Sequence, residues 1–275
     1  MSAHALPTAE PRRTERRSGA RVYSRVTVGG IATACVSRRQ LGGLMVGDCL
    51  AARGGRRSPR LVFASNGHAI AMAAVDSEFR ATFGKADLIH ADGEPVVVAS
   101  RLFTHTPVPE RSATTDFLFD AANAAREFGL KFYLLGSTEE INARAAAALA
   151  KAYPGVEIVG RRNGYFRPED EAAVCEEINA SGADVVWVGL GVPKEYEFCT
   201  RNKARLKAGW SVTCGGCFNF AAGDYVRAPQ WMQRNGLEWL HRLLREPRRL
   251  FWRYLVTNPI AIAMLLLRTR GAAAA

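Results

Sequence analysis

The sequence predicts an α/β fold, a mostly parallel sheet with helices on both faces. Three observations predict it. Short runs of continuous apolar residues recur from about residue 60 onward. They alternate with segments of helical spacing about fifteen residues long, and glycine or small polar residues follow nearly every run. Strands buried on both faces read as unbroken apolar runs, and the helices between parallel strands supply the crossovers. No internal repeat interrupts the alternation.

Taken in order, LVFAS (61–65) is the first strand and AIAMAAVDSEFRATF (69–83) a helix. DLIHAD (87–92) is a strand that ends on an aspartate. KFYLLGS (131–137) leads into the helical TEEINARAAAALAKAY (138–153). VEIVGR (156–161) leads into NGYF and the helix PEDEAAVCEEINASG (168–182). ADVVWVGLG (183–191) is the clearest buried strand. PKEYEFCTRNKARLK (193–207) is helical with Pro193 in its first turn, and WSVTCGG (210–216) is the last strand. The architecture is therefore Rossmann-like.

Charge divides the chain. The net charge is +11, yet residues 1–25 hold six arginines against two glutamates, and residues 224–270 hold nine arginines against three acids. The middle is close to neutral. This gives a basic, disordered tail over 1–25, an α/β core over 26–223 and a C-terminal helical appendage over 224–275, with an anionic partner expected at the basic ends. The N-terminus has arginines but no apolar stretch after them, so it is no secretory signal. IAIAMLLL (260–267) is the longest apolar run near the C-terminus. Eight residues fall short of the roughly twenty a bilayer needs, so a surface-bound or soluble chain is expected. Of six cysteines only Cys214 and Cys217 have CxxC spacing, with no second pair beside them for zinc. Buried thiols are the plain reading and a redox pair the sharper one.

In a sheet of this kind ligands bind beyond the C-terminal strand ends. The residues there are Ser65, Asn66 and Gly67; Asp92, Gly93 and Glu94; Gly136, Ser137 and Thr138; Asn163, Gly164 and Tyr165; Gly189 through Glu195, with Gly191 among them; and Gly215 and Gly216. Glycines let backbone approach a ligand, and helix N-termini offer N–H groups to phosphate. Asp92 stands out. It follows a strand, and apolar surroundings there would raise its pKa and suit it to take a proton from a sugar hydroxyl. An aspartate before a helix is also a common N-cap. No Asp-x-Asp pair occurs, so no metal-held pyrophosphate and no cofactor are expected.

The segments ADGEPVVVASRL (91–102), PERSATTDF (109–117), FYLLGS, YPGVEIVGRRNGYF (153–166) and INASGADVVWVGLGVPKEYEF (178–198) stand in one order, and RAPQWMQRNGLEWLHRLLREPRRLFWRYLVTNP (227–259) follows them. In that order they resemble the WecG/TagA/CpsF glycosyltransferases, glycosyltransferase family 26, over about residues 60–259. The resemblance implies a metal-independent, inverting transfer from a UDP-sugar donor to a polyprenyl-diphosphate-linked sugar in bacterial surface polysaccharide biosynthesis. It puts the catalytic base on Asp92. It lines a donor pocket with Gly136, Ser137, Gly164, Tyr165, Gly189, Pro193, Lys194 and Glu195, and sets Asn66 and Arg111 on the acceptor side. It places the enzyme in the cytoplasm, peripheral on the inner face of the membrane. The chain departs from the family pattern at Ala64, where threonine is common, at Thr114 (glycine), at Glu195 (glutamine) and at Asn219 (aspartate).

A lipid-linked acceptor accounts for the C-terminal stretch. On a helical wheel of 237–255, Leu237, Leu240, Leu243, Leu244, Phe251, Tyr254 and Leu255 share one side, while Arg242, Arg245, Arg249 and Arg253 share the other; Pro247 should divide the run into two helices. Such a helix suits an anionic membrane surface, and its arginines suit a diphosphate. A leucine side packed on the core with solvated arginines is the alternative. A nucleotide- or dinucleotide-binding oxidoreductase shares the strand–helix alternation, but SNGHA is not its glycine fingerprint. A non-catalytic anionic-surface binder explains the charge. Nucleic acid is not an expected partner, because the aromatics interleave with leucine at helical spacing; a homo-oligomer stays open.

Overall fold

A computed structural model describes residues 23–55 and 58–271; most of the expected basic tail, residues 1–22, lies outside the described residues. An antiparallel hairpin, β1 (Arg25–Val28) and β2 (Ile31–Ala34), opens the described chain, and α1 (Arg38–Arg53) follows. A capping box starts α1: the Ser37 hydroxyl accepts from the Gln40 N–H, and the Gln40 side chain accepts from the Ser37 N–H. None of these three elements is read from sequence. The hairpin strands are only four residues each, and α1 carries Gly42, Gly43 and Gly47, which blur a helical pattern.

The alternation then unfolds, with β3 (Arg60–Ser65), α2 (Gly67–Val75), α3 (Ser77–Phe83), β4 (Leu88–Ala91), α4 (Glu94–Phe103), α5 (Thr114–Arg126), β5 (Lys131–Gly136), α6 (Glu139–Ala152), β6 (Glu157–Arg162), α7 (Glu171–Ser181), β7 (Val185–Gly189), α8 (Lys194–Asn202) and β8 (Trp210–Thr213); all but α4 and α5, which the pattern does not announce, fall in segments expected from sequence. The single helix expected over 69–83 is two, because the Asp76 carboxylate accepts from the Glu78 and Phe79 N–H groups and starts a new helix.

The six strands β3–β8 form one parallel sheet in the order β4-β3-β8-β7-β5-β6. The last strand in sequence is thus central in space. Side chains alternate between two cores: Leu61, Phe63, Val186 and Val188 face α2, α3, α7 and α8, while Val62, Trp187, Trp210 and Val212 face α1, α5 and α6. Helices cover both faces, which is why the strands read as continuous apolar runs. All six cysteines are free, and burial raises the Cys214 thiol well above its ordinary range. Both members of the CxxC pair are buried, which fits the plain reading of buried thiols.

After β8 come α9 (Cys217–Ala221), α10 (Gln230–Arg234), α11 (Glu238–Arg245) and α12 (Pro247–Leu267). Pro247 opens α12, as the sequence predicts, but Pro259 does not end it. The eight-residue estimate of apolar length is corrected accordingly: α12 has 21 residues and is long and apolar enough, by length and composition, to cross a membrane. One side of it packs on the core. Ala261 lies against Gly67 of α2, Leu250 and Leu265 are buried, and past its end the Arg270 backbone pairs with Thr27 of β1.

Candidate active site

The C-terminal ends of β3 and β4 meet beside the start of α5, and Asp92 sits at that junction. Its N–H donates to the Ser65 carbonyl at 2.8 Å, and the Gly93 N–H shares that acceptor at 3.2 Å. The loop before α5 runs alongside, with the Ser112 N–H donating to the Ala91 carbonyl at 2.8 Å. Asp92 is not the N-cap of α4. That position falls to Gly93, which offers no side chain. Its carboxylate caps α5 instead: Oδ1 accepts from the Thr114 N–H at 2.6 Å and from the Thr114 hydroxyl at 3.1 Å.

Oδ2 of Asp92 accepts from Asn66 Nδ2 at 3.0 Å, while Asn66 Oδ1 caps α2 by accepting from the Ala69 N–H at 3.0 Å. Both ends of the Asn66 amide are thereby committed, and its first task is to orient Asp92. Arg111 donates through Nε to the Asp92 carbonyl at 2.9 Å and pairs through Nη2 with Glu238 of α11. Arg227 reaches the same Glu238 at 3.2 Å and Asp116 at 2.6 Å. The first residue of α11 is thus tied directly above the loop that holds Asp92.

The expected rise in the Asp92 pKa is overturned. Burial pushes it up, but the Thr114 N–H, the Arg111 charge and the Asn66 amide outweigh burial, and the carboxyl lies below its ordinary value. It is ionised at neutral pH. His90, fully buried behind it, is lowered by burial and is neutral, with Nδ1 2.9 Å from the Ser112 carbonyl. Asp92 itself is partly exposed. It lies in neither of two cavities elsewhere on the molecule. One, of about 90 Å³, lies by Asp76 and Pro193; the other, of about 500 Å³, lies where Arg60 pairs with Asp48 and Lys203 with Asp87. The site lies at the strand ends beside α11.

The residues expected on the donor side form a second group, past β5, β6 and β7. A side chain at Gly136 would meet the Gly189 carbonyl at 2.2 Å, and one at Gly164 would meet Leu190 at 2.8 Å. These glycines first serve close packing of strand ends. Ser137 holds a φ of 58°, strained for a residue with a Cβ; its N–H donates to the Gly189 carbonyl at 3.2 Å and its carbonyl accepts from the Gly164 N–H at 2.9 Å. Tyr165 is 80% exposed, and Pro193 and Lys194 are exposed at the start of α8. Glu195 points the other way. It is buried, and its Oε2 accepts from the N–H groups of Gly191 and Gly215, each at 3.0 Å.

The four appendage arginines do not share one face. Arg242 stacks over the rings of Phe220 and Tyr225, and Arg253 turns inward, lying over Tyr254 and close enough to His68 to help burial lower that imidazole to about 4. Arg245 and Arg249 are exposed, Arg249 pairing with Glu246 at 2.6 Å. Sequence reasoning passes over Glu238, Arg227 and His90. Their roles depend on contacts more than a hundred residues apart, or on a strand position that reads only as core.

Residues 26–274 match the model of the glycosyl transferase WecG/TagA/CpsF family. Over 195 residues, 71% of this chain and 74% of the relative, the chain is 30% identical to an N-acetylglucosaminyldiphosphoundecaprenol N-acetyl-beta-D-mannosaminyltransferase of Bacillus spizizenii.

Proposed function

The chain belongs to the glycosyl transferase WecG/TagA/CpsF family, and from that premise we propose that it moves a sugar from a UDP-sugar to a polyprenyl-diphosphate-linked sugar, with inversion and without a bound metal, in the synthesis of a bacterial surface polysaccharide. The similar Bacillus enzyme, by its name, acts on a diphosphoundecaprenol-linked N-acetylglucosamine. The observation that carries the reading is Asp92, an ionised carboxylate at a strand tip with Oδ1 held by Thr114 and Oδ2 by a single amide. An ionised carboxylate with a spare lone pair accepts the proton of an attacking hydroxyl. The acceptor oxygen attacks the anomeric carbon opposite the leaving nucleotide, Asp92 takes its proton, and the configuration inverts.

Charge builds on the leaving diphosphate as the glycosidic bond breaks. The N–H groups of Ser137, Gly164 and Gly191 already have protein acceptors. Lys194 and the exposed appendage arginines Arg245 and Arg249 therefore carry the neutralisation.

The acceptor's lipid sets the location. The outer side of α12 bears Phe251, Trp252, Leu255, Val256, Ile262, Leu266 and Leu267, all exposed and recurring at helical spacing. With its other side packed on α2, the helix suits lying in the plane of the cytoplasmic face of the membrane. The test is a panel of UDP-sugars with a lipid-diphosphate-sugar acceptor, with and without EDTA, scored by nucleotide release, product mass and anomeric configuration. Asp92→Asn should lower turnover about a hundredfold to ten-thousandfold while donor still binds. Full turnover in that variant, or a retained configuration, overturns the mechanism.

A further inference from the structure

Glu195 is a buried acid that this mechanism does not use. It is 3% exposed, in the first turn of α8. One oxygen accepts two backbone N–H groups, from Gly191 after β7 and Gly215 after β8. Both glycines have positive φ, +78° and +50°, so each loop is turned back to present its N–H to the carboxyl. These are the loops that flank the donor side of the strand ends. A single side chain thus cross-links the two central strands where the sheet faces its ligand.

We propose that Glu195 is a positioning residue: its carboxyl ties the loops after β7 and β8 into the shape that admits the donor, and its ionisation weakens donor binding and sets an alkaline limit on the enzyme.

The surroundings supply the reason. Burial raises the Glu195 carboxyl to about 8, against the two N–H groups that favour its ionised form, and the ionised Asp92 adds to the rise. The titratable groups around it are Asp92 beyond β4, Tyr196 and Cys199 on α8 and Cys214 beyond β8; burial raises the latter three, so they stay neutral. At pH 7 the pair carries one negative charge, on Asp92. Losing the Glu195 proton adds a second negative charge to that of Asp92 on the side where a diphosphate must approach, and like charges disfavour its binding.

The sign for stability follows from the same shift. The native carboxyl holds its proton more tightly than the unfolded chain, whose value is near 4.5. The stabilisation from that proton is complete below about 4.5, shrinks as pH rises, and is gone above about 8. Glutamine keeps an acceptor oxygen for both N–H groups and has nothing to ionise. Alanine removes the tie.

Two measurements test the proposal, and only one rests on the glycosyltransferase reading. First, thermal melts of the unmodified protein and Glu195→Gln, without substrate, from pH 5 to 9: the Tm of the variant minus that of the parent should grow with pH and level off above about 8. Parallel curves overturn the proposal. Second, the donor KM against pH: in the parent it should rise above pH 8 by up to about tenfold per unit while kcat changes little, and in Glu195→Gln it should stay flat. Glu195→Ala should raise the KM at every pH. An unchanged alkaline rise in the glutamine variant, or an alanine variant like the parent, overturns the link to the donor. If no sugar nucleotide turns over, the glycosyltransferase reading falls, and the melts still decide the role of Glu195.

Discussion

Asp92 Oδ1 takes two hydrogen bonds from one residue, the N–H of Thr114 at 2.6 Å and its hydroxyl at 3.1 Å. Thr114 is the first residue of α5, so the carboxylate also sits at the positive end of a 13-residue helix. The proposed base is thereby held by an element that begins twenty-two residues after it.

This placement makes stability depend on pH on the acid side. The native Asp92 lies below its ordinary value of 3.8. Its contribution is present above that value and is lost as pH falls through the native one. Asp92→Asn puts an amide N–H₂ against the Asn66 N–H₂ if its oxygen stays on Thr114. The variant should be about 1–3 kcal/mol less stable at pH 7, and denaturant melts should show the gap closing toward strong acid.

Thr114→Val keeps the backbone donor and the shape but deletes the hydroxyl. One hydrogen bond to the ionised carboxylate is then gone, which should move its pKa up. The acid limb of kcat/KM should shift to higher pH, with turnover at pH 7 reduced a few-fold. A limb that stays in place shows that the hydroxyl does not tune the base.

Glu238 joins the appendage to the site through Arg111 and Arg227, and all three side chains are largely shielded from water. Glu238→Ala leaves two guanidinium groups short of a partner. The cost should be about 1.5–3 kcal/mol, the range for hydrogen bonds to charged groups. Hydrogen exchange should rise across 236–245 before it rises in the sheet. Unchanged protection there means the appendage is held by its apolar contacts alone.

How much of this was legible beforehand depended on range. The strands from Leu61 to Thr213 announce themselves, because a doubly covered parallel strand has no polar side to confuse the pattern. Asp92 could be found from its place after a strand. Its ionisation could not, because that needs Asn66 from one other segment and Arg111 and Thr114 from a second. The wheel of 237–255 misplaced Arg253, since a wheel assumes one straight helix and α11 and α12 are two. Glu195 reads as an acid near the donor; only the positive φ of Gly191 and Gly215 turns it inward.

Gly136 shows the steric demand at the strand ends. Its φ is +137°, and a Cβ would lie 2.2 Å from a backbone oxygen of β7 that cannot move without breaking the sheet. Gly136→Ala should cost about 3 kcal/mol or more. Gly182, with φ +68° but open space around it, isolates the backbone term, and Gly182→Ala should cost about 1 kcal/mol. Chemical denaturation of both variants checks the contrast, and equal losses would remove the steric account of Gly136.

If the chain binds the membrane surface as proposed, the exposed stripe on α12 and the arginines near it should make separable contributions. Trp252, 69% exposed, and Leu255 lie on the outer side of the helix, whereas Arg245 and Arg249 project from the turns around Pro247. Apolar insertion is insensitive to salt, and attraction to anionic lipid is screened by it. Trp252→Ala should therefore weaken binding to neutral and anionic vesicles alike. Replacing Arg245 and Arg249 with glutamine should weaken binding to anionic vesicles only, by roughly 1 kcal/mol per arginine, and flatten its salt dependence. Co-sedimentation with vesicles of phosphatidylcholine, with and without phosphatidylglycerol, at two salt concentrations separates the two. If Trp252→Ala binds both vesicle types as the parent does, the outer face of α12 is not the surface that meets lipid.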